Sequence, residues 1–256
     1  MSTDRLIDKR ATIRMEEHIE LSPHVTHAME DYLKAVYRII ESGKPATTQA
    51  LAEELAITGP SVTNMIKRLH AMRLLTHTRY QGVELTPAGE RIALEVIRHH
   101  RLLELYLAET LGYRWDEVHD EAEKLEHLVS DDLEARMDSA LGFPTRDPHG
   151  DPIPAADGSV SAEAGTLLRE VAANQRVRVI RVSDRDPELL RYLGAMDLVP
   201  GTEVTVIARV PFDDLIRLDI GGIDHVVGPQ VAEAVFVVAA DTAAAEPEIV
   251  CESHDS

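Results

Sequence analysis

Apolar positions recur at helical spacing from His24 to Glu41, through Ala28, Tyr32, Ala35, Val36 and Ile39, and the SGKP that follows stops the run. After Thr47 and Thr48, either able to cap, QALAEELAI predicts a short helix. TGP turns the chain, and SVTNMIKRLHAMRLL predicts a second helix with Pro60 in its first turn. THTRY, QG and VELTP then read as two short strands around a tight turn, which completes the outline of a winged helix-turn-helix. Two amphipathic helices follow, Ala88 to Leu111 and Trp115 to Leu141, the second ending at Gly142 and Pro144. Their apolar stripes call for an external cover, which a two-fold dimer interface would provide. TRDPHGDPIPAADGS has no period and reads as a linker. Beyond it RVRVIRV, TEVTVIARV, LIRLDI, DHVVG and AVFVVAA are short β-branched strands around one helical patch, PELLRYLGAMDL, and predict a small β-barrel.

The fold class expected is therefore mainly α with a small β domain. Its expected segments are an extension over 1–23, the winged helix-turn-helix over 24–87, a helical dimerisation domain over 88–145, a linker over 146–174, the barrel over 175–240 and a disordered acidic tail over 241–256. A length of 256 residues suits such a modular chain. The lone Cys251 and the lack of a signal peptide or of roughly 20 consecutive apolar residues predict a soluble cytoplasmic protein with no membrane partner.

Charge changes the picture locally. A net charge of -19 should repel phosphate. Yet no acidic residue lies between Glu54 and Glu84, where average usage would place about five. Lys67, Arg68, Arg73 and Arg79 stand there instead, so double-stranded DNA is the expected partner. Ser61, Thr63 and Asn64 would reach base edges, Asn64 by paired bonds to adenine, while Pro60 and Val62 would meet a thymine methyl. Lys67, Arg68 and Arg79 would hold phosphates.

Candidate chemistry lies in the long helices. His119, Glu123, Glu126 and His127 would share an arc of about 100° on one helix, and His100 and Glu104 lie four apart on the preceding one. A single such pair is ordinarily a solvated helix surface. Two groups on adjacent helices, all oxygen and nitrogen donors, suit a six-coordinate divalent ion better than a structural zinc. Di-iron and metalloprotease spacings, nucleophile motifs and phosphate loops are absent, so no enzyme activity and no organic cofactor are expected. The alternative is a metal-independent winged-helix regulator that senses a small organic ligand.

ALAEELAITGPSVTNMIKRLHAMRLL, HHRLLE, VHDEAEKLEH and DPHGDPIP, in this order, resemble the metal-dependent repressors of the diphtheria toxin repressor and manganese transport regulator family over about residues 24 to 240. The resemblance implies a homodimer, an SH3-like C-terminal domain and repression of metal-uptake genes through palindromic operators. It places Asp31, Glu123, Glu126 and His127 in a primary metal site. His100, Glu104 and His119 would form an ancillary site with a carboxylate from DRDPELL, Asp186 first and Glu188 second. Iron-responsive members carry Met and Cys where this chain has Asp31 and Glu123, which favours Mn2+. Fe2+ is the second candidate, and Zn2+, Co2+ or Cd2+ are substitutes in vitro. Short manganese regulators carry Glu where Lys34 stands here, so about two separated ions per subunit are expected rather than a close pair. Neutral histidines are needed for binding, so the response should weaken as pH falls toward about 6.5.

Overall fold

The computed structural model describes residues 25–78, 82–161, 165–210 and 213–240. The N-terminal extension, Arg79 and the acidic tail lie outside them. No helix among the described residues is long and apolar enough to cross a membrane. The chain forms two compact units, one ending at Leu94 and the other beginning at Glu95.

In the first unit, α1 (His27–Glu41) buries Met29, Tyr32, Leu33, Ala35, Val36 and Ile39, so the expected face is kept except at Ala28, which is exposed while its neighbour Met29 turns inward. Ser42 ends it by donating its hydroxyl to Ile39 O. Thr47 caps α2 (Thr48–Glu54) by accepting from Ala50 N–H. Helix α3 (Gly59–Ala71) buries Val62, Ile66 and Leu69 against that core. Burial of Val62 overturns its expected contact with a thymine methyl, because a side chain that fills the core has no face left for a groove. Strands β1 (Leu75–Thr78) and β2 (Gly82–Leu85) pair antiparallel as the wing.

Helix α4 (Pro87–Leu111) is a single long helix that runs on into the second unit. The expected helix over Trp115–Leu141 is broken into α5 (Val118–Leu125), a 3-10 turn (Glu126–Leu128) and α6 (Asp131–Ala140). The break has a local cause: Ser130 turns extended and accepts from Leu133 N–H, so α6 starts with its own cap and three acids in its first turn.

The expected linker is folded over its first half. Ile153 N–H donates to Thr145 O, Asp147 N–H to Asp151 O and Val182 N–H to His149 O, while Ile153 and His149 are buried. Pro, Gly and Asp here encode turns rather than slack.

The β domain is an antiparallel sheet in the order β3-β8-β4-β5-β6-β7. Its strands are β3 (Thr166–Leu167), β4 (Gln175–Val182), β5 (Glu203–Val210), β6 (Leu215–Ile220), β7 (Ile223–Val227) and β8 (Val235–Ala239). Helix α7 (Pro187–Ala195) follows β4, and α8 (Pro229–Ala234), which periodicity did not reveal, precedes β8. Alternating Val, Leu and Ile from the strands fill one core, with Trp115 packed against it.

Candidate metal centre

Helix α4 presents His100 and Glu104 on one face, and α5 presents His119. His100 Nε2 lies 3.0 Å from Glu104 Oε1 and 3.1 Å from His119 Nδ1, and His119 Nδ1 lies 3.1 Å from the same Glu104 oxygen. Donors at right angles about 2.1 Å from an ion stand about 3.0 Å apart, so this triangle has the edge of an octahedral face. The fourth member is Asp184, whose Oδ2 is 3.4 Å from His119 Nδ1, and the four form one group of candidate ligands.

Asp184 replaces Asp186, the residue expected there. Asp186 is the N-cap of α7, and its Oδ1 accepts from the N–H groups of Glu188 and Leu189. That role draws the carboxylate onto its own helix, while Asp184, two residues earlier, faces the histidines. Glu188, the second candidate, lies in the first turn of α7 and outside the group.

The other expected donors gather at the end of α5. Glu123 joins Glu126 and His100 in one group, and His127 Nε2 lies 3.4 Å from Glu126 Oε1. Glu126, fully buried, connects the two groups: its Oε2 is 2.6 Å from His100 Nδ1. The carboxylate accepts, so His100 Nδ1 carries the proton and Nε2 keeps its lone pair for the Glu104 side. His119 makes a second link, its Nε2 lying 3.9 Å from Glu123 Oε1. Asp31 lies half-buried on α1 in the first unit.

Electrostatics reflects the crowding. Burial alone would raise the Glu104 pKa, but His100, His119 and His149 hold it well below the usual carboxylate range. Burial would lower His119, yet hydrogen bonds and charges from Asp184 and Glu104 push it up to about 10. A folded pKa above the unfolded one means that protonated His119 stabilises the metal-free fold below about pH 6.5, a contribution lost as pH rises through about 10. His119 can present its lone pair to an ion only by giving up this proton, so weakening of the response begins well above 6.5, earlier than expected from an ordinary histidine. Calorimetry with Mn2+ at pH 7, in buffers of different ionisation enthalpy, should therefore show roughly one proton released from this group. Zero release would remove His119 from the donor set.

Sequence reasoning missed Asp147 and His149, both buried behind Glu104 and grouped with it as candidate ligands. Burial and the charges of Glu104 and Asp151 push the Asp147 carboxyl well above its usual range. His149, lowered by burial but raised by Glu104 and Asp147, stands at about 9. The DPHGD string carried the signal, since Asp two residues before a turn residue commonly caps backbone N–H groups.

On α3, Pro60, Ser61, Thr63, Asn64, Lys67 and Arg68 are all exposed. Thr63 donates its hydroxyl to Gly59 O, and the Ser61 hydroxyl pairs with that of Thr58. Asn64, Lys67 and Arg68 are thus the exposed polar groups on this helix best placed for a ligand. Arg79 lies outside the described residues.

Comparison with known proteins bears on each segment. Residues 24–83 match the family described as iron dependent repressor, N-terminal DNA binding domain. Residues 86–155 match its metal binding and dimerisation domain, and 166–239 match the FeoA domain. The chain is 35% identical over 190 residues to the iron-dependent repressor IdeR of Mycobacterium leprae (strain TN), covering 69% of this chain and 82% of that protein. It is 31% identical over 191 residues to the diphtheria toxin repressor of Corynebacterium diphtheriae, covering 70% and 84%. A solved manganese-dependent transcriptional repressor in complex with manganese superposes with a TM-score of 0.78 at 42% identity, covering 82% of this chain and 99% of that one.

Proposed function

Because this chain belongs to the family of metal-dependent transcriptional repressors that includes IdeR and the diphtheria toxin repressor, we propose that it is a manganese-responsive repressor of metal-uptake genes. The observation that carries the reading is the triangle of His100 Nε2, Glu104 Oε1 and His119 Nδ1, with edges of 3.0–3.1 Å. In the metal-free fold a proton on His119 holds these three buried or half-buried donors together, and a divalent ion that displaces it would meet all three at once.

His100, Glu104, His119 and Asp184 would hold one divalent ion, and Glu123, Glu126 and His127 would hold another. The family resemblance adds Asp31 as a donor to the second set. Neither set contains sulfur, which favours Mn2+ over softer ions, with Fe2+ as the next candidate. A bound divalent ion supplies positive charge and fixed bond directions. Glu126 makes the two sets interdependent, since it serves one as a donor and orients His100 for the other. Asp31, in the DNA-binding unit, would make that unit's freedom depend on occupancy, and the gain in operator affinity is bounded by the ion's preference for the binding-competent arrangement.

The operator reader is α3. Ser61, Thr63 and Asn64 near its start would address base edges, with Pro60 against a methyl group, and Lys67, Arg68 and Arg79 would address phosphate. The helical part of the chain exposes Leu111, Leu133 and Phe143, large apolar side chains that a second copy would cover. A two-fold dimer then meets a palindrome whose half-sites lie about 34 Å apart.

The test is fluorescence anisotropy on a duplex selected from random sequence in the presence of Mn2+. Metal-stripped protein should bind it at least about a hundredfold more weakly than Mn2+-loaded protein. Equal binding after chelation would favour a regulator that answers to an organic ligand instead.

A further inference from the structure

His100 is one of the candidate donors, whereas its neighbour His99 belongs to no ligand group among the described residues. Consecutive residues on a helix point about 100° apart, yet both rings reach the same partner. His100 Nδ1 lies 2.6 Å from the Glu126 carboxylate, and His99 Nδ1 lies 3.2 Å from the Glu126 main-chain oxygen. One histidine grips the side chain of this fully buried glutamate, and the other grips its backbone.

A carbonyl oxygen only accepts, so His99 Nδ1 carries a proton and donates it. The other ring nitrogen, Nε2, lies 2.9 Å from Glu134 Oε2 on α6. Arg98 fixes that carboxylate from its other side, its Nε donating to Glu134 Oε1 at 2.6 Å. The same guanidinium donates to Asp138 Oδ2 at 2.8 Å and to Pro154 O at 2.7 Å. Arg98 and His99 are both buried, and α6 itself buries only Met137. Apolar contact therefore gives α6 little hold, and these polar bonds attach it to α4.

We propose that His99 is a positioning residue for the metal response, a role that rests on the function proposed above. Braced by Glu134, its Nδ1–H fixes the peptide of Glu126 and so presets that carboxylate for the Glu123, Glu126 and His127 set. The chain needs such a brace here. At Glu126 it leaves α5 for the 3-10 turn, and by Val129 it is extended, so the regular helical ladder that would hold a carboxylate in place stops. Holding the main chain and the side chain together removes the swing that either bond alone would leave. Preset donors matter more for Mn2+ than for Zn2+. A four-coordinate ion is satisfied by few donors, whereas a six-coordinate ion with weaker bonds needs more of them in place.

The experiment uses the full-length protein, stripped with chelator, and two variants that divide the ring's bonds between them. His99→Asn leaves an amide N–H where Nδ1 stood but is too short to reach Glu134. His99→Gln puts its amide where Nε2 stood and loses the bond to Glu126 O. In calorimetry His99→Gln should weaken the Mn2+ ion of the Glu126 set at least about tenfold and a Zn2+ ion by less, while His99→Asn should lose less Mn2+ affinity than His99→Gln. Thermal unfolding of the stripped protein should show the reverse order, with the larger fall in midpoint for His99→Asn. Amide hydrogen exchange of the stripped protein around Glu126 should quicken in His99→Gln. A histidine that only packs would lower Mn2+ affinity, Zn2+ affinity and midpoint in step, and that result would overturn the proposal. Mn2+ affinity in His99→Gln equal to that of wild type would overturn it as well. Failure of the underlying reading looks different: His127→Ala would then bind as many Mn2+ ions as wild type, with the same affinities.

Discussion

Replacing Glu126 by Gln should cost one of the two ligand sets its ion, whichever way the amide turns, and with it the full metal response, while leaving the protein folded. The side chain is fully buried, its Oε2 lies 2.6 Å from His100 Nδ1 and its Oε1 lies 3.4 Å from His127 Nε2. A carboxylate accepts at both oxygens, whereas an amide accepts at one end and donates at the other. If the amide oxygen turns to His100, the NH2 group faces His127 and the second set loses both a charge and a donor. If the NH2 turns to His100, it needs a lone pair on Nδ1, so the proton moves to Nε2 and points at Glu104. The first orientation disables one set and the second disables the other. Disturbing an orienting partner costs about 10–100-fold in affinity, and losing a donor costs more. Mn2+ calorimetry should therefore show one ion fewer per chain for this variant, and operator anisotropy a weakened response to Mn2+. Glu121→Gln is the control, since Glu121 sits on α5 outside both ligand groups and pairs with Lys124, at 2.9 Å. Normal binding of both ions by Glu126→Gln would remove Glu126 from both roles.

The sequence carried the periodic parts of this fold and most of the side chains that the fold gathers as candidate ligands. The apolar face of α1, the short helices around TGP, the wing and the strand runs of the β domain all follow from local pattern, because each element buries one face. His100, Glu104 and His119 were legible for the same reason: spacing on a helix fixes which side chains share a face. Asp186 failed on a rule that was also local. Asp-Pro-Glu at the head of an apolar run is a helix start, and a capping Asp has its oxygen engaged by the first-turn N–H groups. The carboxylate left to face the histidines is therefore upstream, at Asp184. Ser-Asp-Asp at 130–132 was likewise a start signal inside what periodicity read as one helix. Continuous helix geometry would have put Glu126 and His127 on a regular turn, whereas the 3-10 turn lets Glu126 reach back to His100. What no local rule supplies is the meeting of Glu104 with His149, 45 positions along the chain, since that depends on how the 145–153 loop packs.

That loop is the place for the second large effect. Gly150→Ala should destabilise the protein by about 2–5 kcal/mol, combining the cost of a left-handed backbone for a residue with a Cβ and that of overpacking. Gly150 has φ +88°, and a Cβ there would stand 2.0 Å from Ile180 O and 2.9 Å from Arg181 Cα. Both are backbone atoms of β4 at the irregularity where its register against β8 shifts, and the flanking pairs Val179–Val237 and Arg181–Phe236 hold the strand, so the loop must yield. Moving the loop breaks the bond from Val182 N–H to His149 O, at 2.9 Å, and draws His149 away from Glu104. Thermal unfolding followed by calorimetry should show a lowered midpoint in metal-free protein, and the gain in midpoint on adding Mn2+ should shrink as well. The two readouts separate the loop's structural part from its part in ion binding. A lowered midpoint with an undiminished Mn2+ gain would mean that the loop only packs against β4, and an unchanged midpoint would mean that residues 145–153 are the slack connection their composition first suggested.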